Sequence, residues 1–332
     1  MARDPACGLR EQRTGPELLN RRTFLKGGLA LAAGGTLFGG YALAEPFRLR
    51  VTRYNLSPKS WPKGLKIRAA VIADLHVCEP WMGLERVHRI VARTNALKPD
   101  VVLLTGDFVA SMRISRIAQL LPYAQTIPCA DWAETLKGLE APLGVHAVLG
   151  NHDWWSDEAA QDRRCGPTLA GAALEAAGIK VYENDSLRIE TQGGAFWLAG
   201  LGDQWAFFPK PREDGLYPPI PYEGLHDLEK TFAQVADDAP VILMAHEPDI
   251  FAEMGAYAER VALTVSGHTH GGQVRLFGFA PVVPSRYGRR FAYGHVADGD
   301  RHLIVSGGLG CSGLPIRFGV PPEIVAIDIA GA

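Results

Sequence analysis

The sequence predicts an α/β fold with two packed, mixed β-sheets flanked by helices. Three observations predict it. Apolar runs alternate with segments of helical spacing through the first part of the chain. Short strand-like runs split by turn residues then interrupt this alternation, before longer buried-type runs resume. His, Asp and Asn stand directly after the apolar runs, where an α/β sheet opens its ligand crevice.

Residues 1–44 stand apart from the fold. Asn20-Arg21-Arg22-Thr23-Phe24-Leu25-Lys26 is basic, Gly27 to Ala44 carries no charge, and Ala42-Leu43-Ala44 has the small-x-small form of a cleavage site. The paired arginines resemble a twin-arginine export signal, a route that carries proteins already folded. Cleavage after Ala44 is expected, with retention as an N-terminal anchor or a Sec-type signal as alternatives. The domain proper is residues 45–332.

Within it, Ile67–Ala73 reads as a buried strand and Leu84–Leu97 as an amphipathic helix with Leu84, Val87, Ile90, Val91 and Leu97 on one side. Asp100–Thr105 is the second strand. A helical segment near Ala130–Leu139 precedes the third, Val145–Leu149. The helix Pro167–Ala177 ends at Gly178, a fitting C-cap. Ile179–Tyr182, Ser186–Glu190 and Ala195–Leu201 read as antiparallel hairpins. Val241–Ala245 and Val261–Ser266 are buried strands again. Gln273–Phe277, Arg290–Tyr293, His302–Ser306 and Glu323–Ile329 complete the set. The stretch 203–223, with Gln204, Trp205, Phe207, Phe208, Tyr217 and Tyr222, is long for a loop in a compact domain. It serves either as a lid or substrate platform, or as cover for a sheet edge.

Composition narrows the class. The chain has 332 residues, 47% of them hydrophobic and 21% charged, as in ordinary globular proteins. A net charge of -2 leaves no basic footprint for a nucleic-acid partner. Without residues 1–44 the chain holds 28 basic and 33 acidic residues, so its surface should not be drawn strongly to anionic lipid. Cys78, Cys129, Cys165 and Cys311 are scattered, with no Cys-x-x-Cys pair for a zinc ribbon. Export permits disulfides, while buried free thiols are equally compatible with this spacing.

The chemistry lies at five strand ends: Asp74-Leu75-His76, Gly106-Asp107, Gly150-Asn151-His152-Asp153, His246 and Gly267-His268-Thr269-His270. Taken singly, each is an ordinary turn, cap or edge pair. Their recurrence at successive strand ends supplies enough donors for two metal ions. A two-metal site activates water and clamps a phosphate. Imidazole mixed with oxygen ligands suits Mn, Fe or Zn better than Mg or Ca.

These motifs resemble the calcineurin-like metallophosphoesterase superfamily, in its motif order, from about Ile67 to Ile329. The segment Ser306–Gly310 with Leu314–Phe318 and Pro321–Ile324 is similar to its exported or membrane-associated bacterial branch. The resemblance implies a four-layer fold and two divalent ions. It implies that Asp74, His76 and His270 hold one ion, that Asn151, His246 and His268 hold the other, and that Asp107 bridges them through its two oxygens. A metal-bridging hydroxide would then attack phosphorus in line. His152, left over, would donate to a phosphate oxygen or protonate the leaving group. Asp153 would orient the His152 ring or cap the helix.

The expected substrate is a phosphate ester, and a lipid- or envelope-linked phosphodiester or pyrophosphate is favoured. A UDP-2,3-diacylglucosamine hydrolase-like role is an alternative that export argues against. A general phosphodiesterase or nucleotide phosphatase is another. A non-catalytic metal-binding scaffold stands outside the class. Arg113, Arg116, Trp154 and Arg317 are candidate substrate contacts, and Trp155 shares the reading of Trp154. Partners are the twin-arginine export machinery and, in an anchored form, the membrane. The expected location is the periplasm or the membrane.

Overall fold

A computed structural model describes residues 35–121, 127–210 and 222–331. Residues 35–44 are helical. The chain divides into two compact units, Met1–Tyr41 and Ala42–Ala332. Among the described residues, no helix is long and apolar enough to cross a membrane.

The larger unit is built on two six-stranded sheets. In chain order the strands are β1 (Arg50–Leu56), β2 (Lys66–Ile72), β3 (Val101–Thr105), β4 (Val145–Val148), β5 (Lys180–Tyr182) and β6 (Asp185–Thr191). They continue as β7 (Gly194–Gly200), β8 (Val241–Met244), β9 (Val261–Ser266), β10 (Gly294–Asp298), β11 (Arg301–Val305) and β12 (Glu323–Ala330). The first sheet runs β1-β12-β2-β3-β4-β5 and the second β10-β11-β9-β8-β7-β6. Both are mixed. In the first, only β12 against β2 is antiparallel. In the second, the outer pairs β10–β11 and β6–β7 are antiparallel.

Side-chain alternation explains the layering. In β2, Ala69 and Val71 face the other sheet, while Ala70 and Ile72 face the helix Leu84–Asn95 side. In β8, Ile242 and Met244 enter the inter-sheet core, while Val241 and Leu243 pack outward with Ile250, Phe251 and Phe291. Strands covered on both faces carry unbroken apolar runs, as parallel sheets require. Helix, sheet, sheet and helix layers follow.

Several expectations change. Ile179–Tyr182 contributes β5, which pairs parallel to β4 instead of starting a hairpin; β6 and β7 form the expected hairpin. Gln273–Phe277 is not a strand but a 3-10 exit and a tight turn. Arg290–Tyr293 overlaps a 3-10 turn, and the strand begins at Gly294. The edge strand β1 and the short helices Met112–Ala118, Glu158–Arg163 and Leu228–Phe232 had no clear period in the sequence.

All four cysteines of this unit are free thiols. Cys78 packs with Ile114 and Cys311, and burial pushes its thiol up to about 11, so it is not poised as a ligand.

Candidate metal centre

Strands β2, β3 and β4 run parallel, as do β7, β8 and β9, so their carboxyl ends meet at one crevice. The turns there are tied together by the backbone. The Asp74 amide donates to Gly106 O at 3.0 Å, His76 to Asp107 O at 3.0 Å, and Gly267 to His246 O at 3.1 Å.

All seven expected ligands arrive in this crevice, each nearly inaccessible. Asp74, His76, Asp107 and His270 form one group with ligand atoms within 4.8 Å of one another. His246 and His268 form a second with Glu247. Asn151 joins them, its Oδ1 lying 2.9 Å from His268 Nδ1. Asp107 connects the groups: its Oδ2 is 3.5 Å from His76 Nε2 and 3.3 Å from His246 Nε2. Its Oδ1 instead accepts from the His152 amide at 2.8 Å. One oxygen therefore faces both groups, where the sequence suggested one oxygen for each.

The donor set fits divalent cations. His76 Nδ1 lies 2.9 Å from Val109 O and His246 Nδ1 lies 2.7 Å from Thr105 O. Donation to those carbonyls fixes the tautomer and turns each Nε2 lone pair inward. His76 Nε2 and His270 Nε2 face each other at 3.0 Å, nitrogen to nitrogen. Asp74 Oδ2, His246 Nε2 and His268 Nε2 are buried with no hydrogen-bond partner. Buried polar atoms are normally satisfied, so this cluster of exceptions suits an ion. Burial opposes charge on Asp107, yet His246, His152 and His76 hold its carboxyl well below the usual carboxylate range. Burial, His76 and the Arg317 guanidinium hold His270 well below the ordinary imidazole value. An ionised carboxylate among neutral imidazoles is the state a cation binds. His246 is the exception: burial opposes its charge, yet Asp107 holds it well above the ordinary imidazole value, so a cation binding at its Nε2 would displace a proton.

The backbone is strained to achieve this. Asp74, His76, Asp107, His268 and His270 have φ of 52°, 45°, 57°, 67° and 51°. Left-handed non-glycine residues cost of order 1–3 kcal/mol each and cluster at functional sites. The approach is also close. A Cβ at Gly267 would lie 2.5 Å from Asp74 Oδ2, and one at Gly150 would lie 2.6 Å from His246 Cε1. Only glycine fits before these ligands.

His152 sits at the mouth. Its ring packs edge-on to His76 and Trp155 at 5.1 and 5.0 Å between centroids. Its Nδ1 has no partner and Ser312 Oγ is 3.5 Å from Nε2. Burial lowers His152 to about 4, so the ring is neutral near pH 7. The expectation that Asp153 orients this ring is corrected. Asp153 Oδ2 accepts from Asp107 N and Gly150 N, both at 2.9 Å, and Oδ1 from Phe108 N and Val109 N at 2.9 and 3.0 Å. At the third position of the helix Asn151–Trp155 its side chain folds back onto amides, so it caps the helix and pins the Asp107 loop.

A cavity of about 960 Å³ opens over the centre, and Arg113, Arg116, Ile117, Val274, Val282 and Leu314 are among its walls. Arg113 and Arg116 are thus where the sequence suggested, on the helix Met112–Ala118. Two candidates are not. Trp154 is 1% exposed and packs edge-on to Phe207 in the core at 5.4 Å, while Trp155, its neighbour, lines the cavity. Adjacent residues on a helix point about 100° apart, so only one can face the cleft. Arg317 is fully buried behind His270. It donates to Gly307 O at 2.7 Å, Gly310 O at 2.9 Å and Val320 O at 3.0 Å, with His270 Nδ1 3.2 Å away. It clamps the loop behind the ligands instead of meeting substrate.

The described ends of the aromatic stretch form a wall. Tyr222 stacks on Trp155 at 4.6 Å and on Trp205 at 5.1 Å, and Trp205 meets His268 edge-on at 4.6 Å. Phe207 is core, and Tyr217 lies outside the described residues. Sequence reasoning missed Glu247 and Ser312. Glu247 directly follows His246 and is 1% exposed, its Oε2 accepting from Gln204 N at 3.0 Å. Its place after a strand-end histidine was the available signal. Ser312 had none.

Comparison with known proteins identifies the family. The family described as calcineurin-like phosphoesterase matches residues 67–272, and a twin-arginine translocation pathway signal sequence matches residues 18–38. The metallophosphoesterase YkuE of Bacillus subtilis is 30% identical, covering 94% of this chain and 98% of its own. The phosphodiesterase YaeI of Escherichia coli is 30% identical, covering 94% of this chain and 100% of its own. A dimetal phosphatase from Danio rerio of known structure covers 75% of this chain and 88% of its own, with 12% identity and a TM-score of 0.42. With a family match over most of its length and the donor set to go with it, the chain belongs to the calcineurin-like phosphoesterases and carries a twin-arginine signal sequence.

Proposed function

We propose that the protein hydrolyses a phosphodiester or pyrophosphate outside the cytoplasm, using two divalent ions drawn from Mn, Fe and Zn. Asp74, His76 and His270 would hold one ion, Asn151, His246 and His268 would hold the other, and Asp107 would be shared between them. The observation that carries this reading is a single oxygen, Asp107 Oδ2, 3.5 Å from His76 Nε2 and 3.3 Å from His246 Nε2. When bound, the ions acidify a water and neutralise charge on the phosphoryl oxygens. The chain's own residues do the rest. Asp153 holds the Asp107 loop in register through four backbone amides. His152, neutral by burial, donates its ring N–H to a phosphoryl oxygen; protonating the departing oxygen would require the imidazolium, formed by taking up a proton once the anionic substrate is bound. Trp155 and Trp205 wall off water on one side.

A lipid- or envelope-linked substrate is supported by the apolar walls, among them Ile117, Val274, Val282 and Leu314, with Arg113 and Arg116 available for a second anionic group. A soluble nucleotide or diester would not need so much apolar surface. Residues 1–44 act as a cleaved export signal or, uncleaved, as an anchor, and the enzyme works in the periplasm or at the membrane.

Hydrolysis of a chromogenic bis-phosphodiester tests the reading. Activity is expected to require added Mn, and His152→Ala to lower kcat about 10²–10⁴-fold while metal content is unchanged. Bound metal with no activity on any phosphate ester favours a scaffold. Activity indifferent to chelation sinks the two-ion mechanism.

A further inference from the structure

We propose that the turn Leu276–Phe279, with the arginine-lined hollow beneath it, is a docking site for an anionic lipid surface. The proposal is independent of the reaction assigned above.

The turn is unusual in conformation and exposure. Leu276 and Phe279 exchange both backbone hydrogen bonds at 2.9 Å, leaving Phe277 and Gly278 as the two central residues. Their φ values are 51° and 82°, the signature of a type I′ turn. Such turns take Asn, Asp or Gly at the first central place; a bulky residue there is an outlier. Phe277 is also 108% exposed, so no packing offsets its strain. Leu276, Phe279 and Val282 beside it are 42%, 52% and 73% exposed. Apolar surface collected on one strained tip marks an interaction site.

Charge identifies the partner. A hollow of about 390 Å³ is lined by Arg275, Arg289, Arg290, Gly278, Ala280 and Ala292, with no acidic residue. Arg275 and Arg289 have no carboxylate partner among the described residues; Arg275 donates to Gly278 O at 2.9 Å, and Arg289 lies over the Phe279 ring at 4.6 Å. Arg290 reaches Asp298 only at 3.5 Å, and Asp298 is already held by Arg301 at 2.6 Å. Apolar tips above the Arg275 and Arg289 guanidinium groups, neither held by a carboxylate among the described residues, match a bilayer, with acyl chains below its surface and phosphate at it. Net charge hides this patch, because acidic residues elsewhere outnumber the basic ones.

Position adds a use. Val274, Pro281 and Val282, which flank the turn, line the cavity over the metal centre. Arg113, Arg116 and Ile117 of the helix Met112–Ala118 line the same cavity, and that helix leads to Leu120, 83% exposed. A membrane met by this rim faces the cavity mouth.

Phe277→Trp in the full-length chain supplies a reporter at the tip that the N-terminal segment does not mimic. With vesicles of acyl-brominated phosphatidylglycerol, the emission added by this substitution, measured against the parent, is expected to shift blue and be quenched. Brominated phosphatidylcholine should quench little. Arg275→Gln and Arg289→Gln should each weaken the effect about fivefold, and together about 30-fold. Far-ultraviolet circular dichroism and the thermal midpoint serve as folding controls that do not depend on the reaction proposed above. Emission untouched by anionic vesicles overturns the proposal. So does quenching that is equal in neutral vesicles, or that survives both arginine substitutions in a protein with an unchanged circular dichroism spectrum and thermal midpoint.

Discussion

The floor of the crevice and its rim are built on opposite terms. On the floor, Asp74, His76, Asp107 and His270 are at most 4% exposed, and their left-handed backbones are tied by amide bonds between turns. On the rim, Phe277 is also left-handed but 108% exposed. Strain at the floor is offset by surrounding contacts that leave those residues no other place. Strain at the rim has no such offset within the chain. Equal backbone outliers therefore carry different messages: one reports how rigidly a set of donors is held, the other fits the docking contact proposed for the turn.

The comparison breaks most sharply at Asp107. Asp107→Asn is expected to lower kcat/KM about 10³-fold or more and to release metal, read by elemental analysis alongside diesterase assays. If metal and activity persist, the floor is not organised around that oxygen. Neighbouring tryptophans give the next test. Trp154→Ala should destabilise by about 3–5 kcal/mol in a denaturant titration, as a large core side chain does. Trp155→Ala should leave the midpoint in place and raise KM. The same outcome for both would erase the line between core and cavity wall.

Much of the floor was legible because two demands met in the same residues. Asp74, Asp107, Asn151, His246 and His268 each follow a run that is apolar on both faces, and chemistry restricts the residue types that can follow. Arg317 was misread because its Pro- and Gly-rich setting looks like an exposed loop. Its burial comes from carbonyls at Gly307, Gly310 and Val320, which no sequence period announces. Trp154 and Trp155 could not be told apart while the helix holding them was unplaced. The strand β1 was missed because Arg50-Val51-Thr52-Arg53-Tyr54-Asn55-Leu56 lies at an edge, and its partner β12 is far along the chain. The rim was least legible of all: its arginines come from two segments, 275 and 289–290, joined only by folding.

A smaller effect sharpens what supports the floor. Asp153→Asn keeps size but loses acceptor capacity at the amides of Asp107, Phe108, Val109 and Gly150. Metal affinity should fall about 10–100-fold, as it does when residues behind a ligand are altered. Titrating metal into the stripped protein reads this directly, and an unchanged affinity would mean the loop holds itself. The smallest expected effect is at the cavity wall. Arg113→Gln with Arg116→Gln should raise KM by no more than about fivefold at low salt, and by less at high salt, because both guanidinium groups are solvent-exposed. A larger loss that salt does not relieve would move these arginines into the floor's class.

The order of strands in the first sheet sets a clock on biosynthesis. β12 (Glu323–Ala330) lies between β1 and β2, pairing residue by residue with both. A ribosome that has made every proposed metal donor, the last being His270, still holds a chain whose strand before Asp74 lacks one neighbour. Locking that sheet waits for β12, so a product truncated before Glu323 leaves β1 without its partner and one edge of β2 open. An export route that accepts folded cargo is expected to reject a chain released before β12 is made.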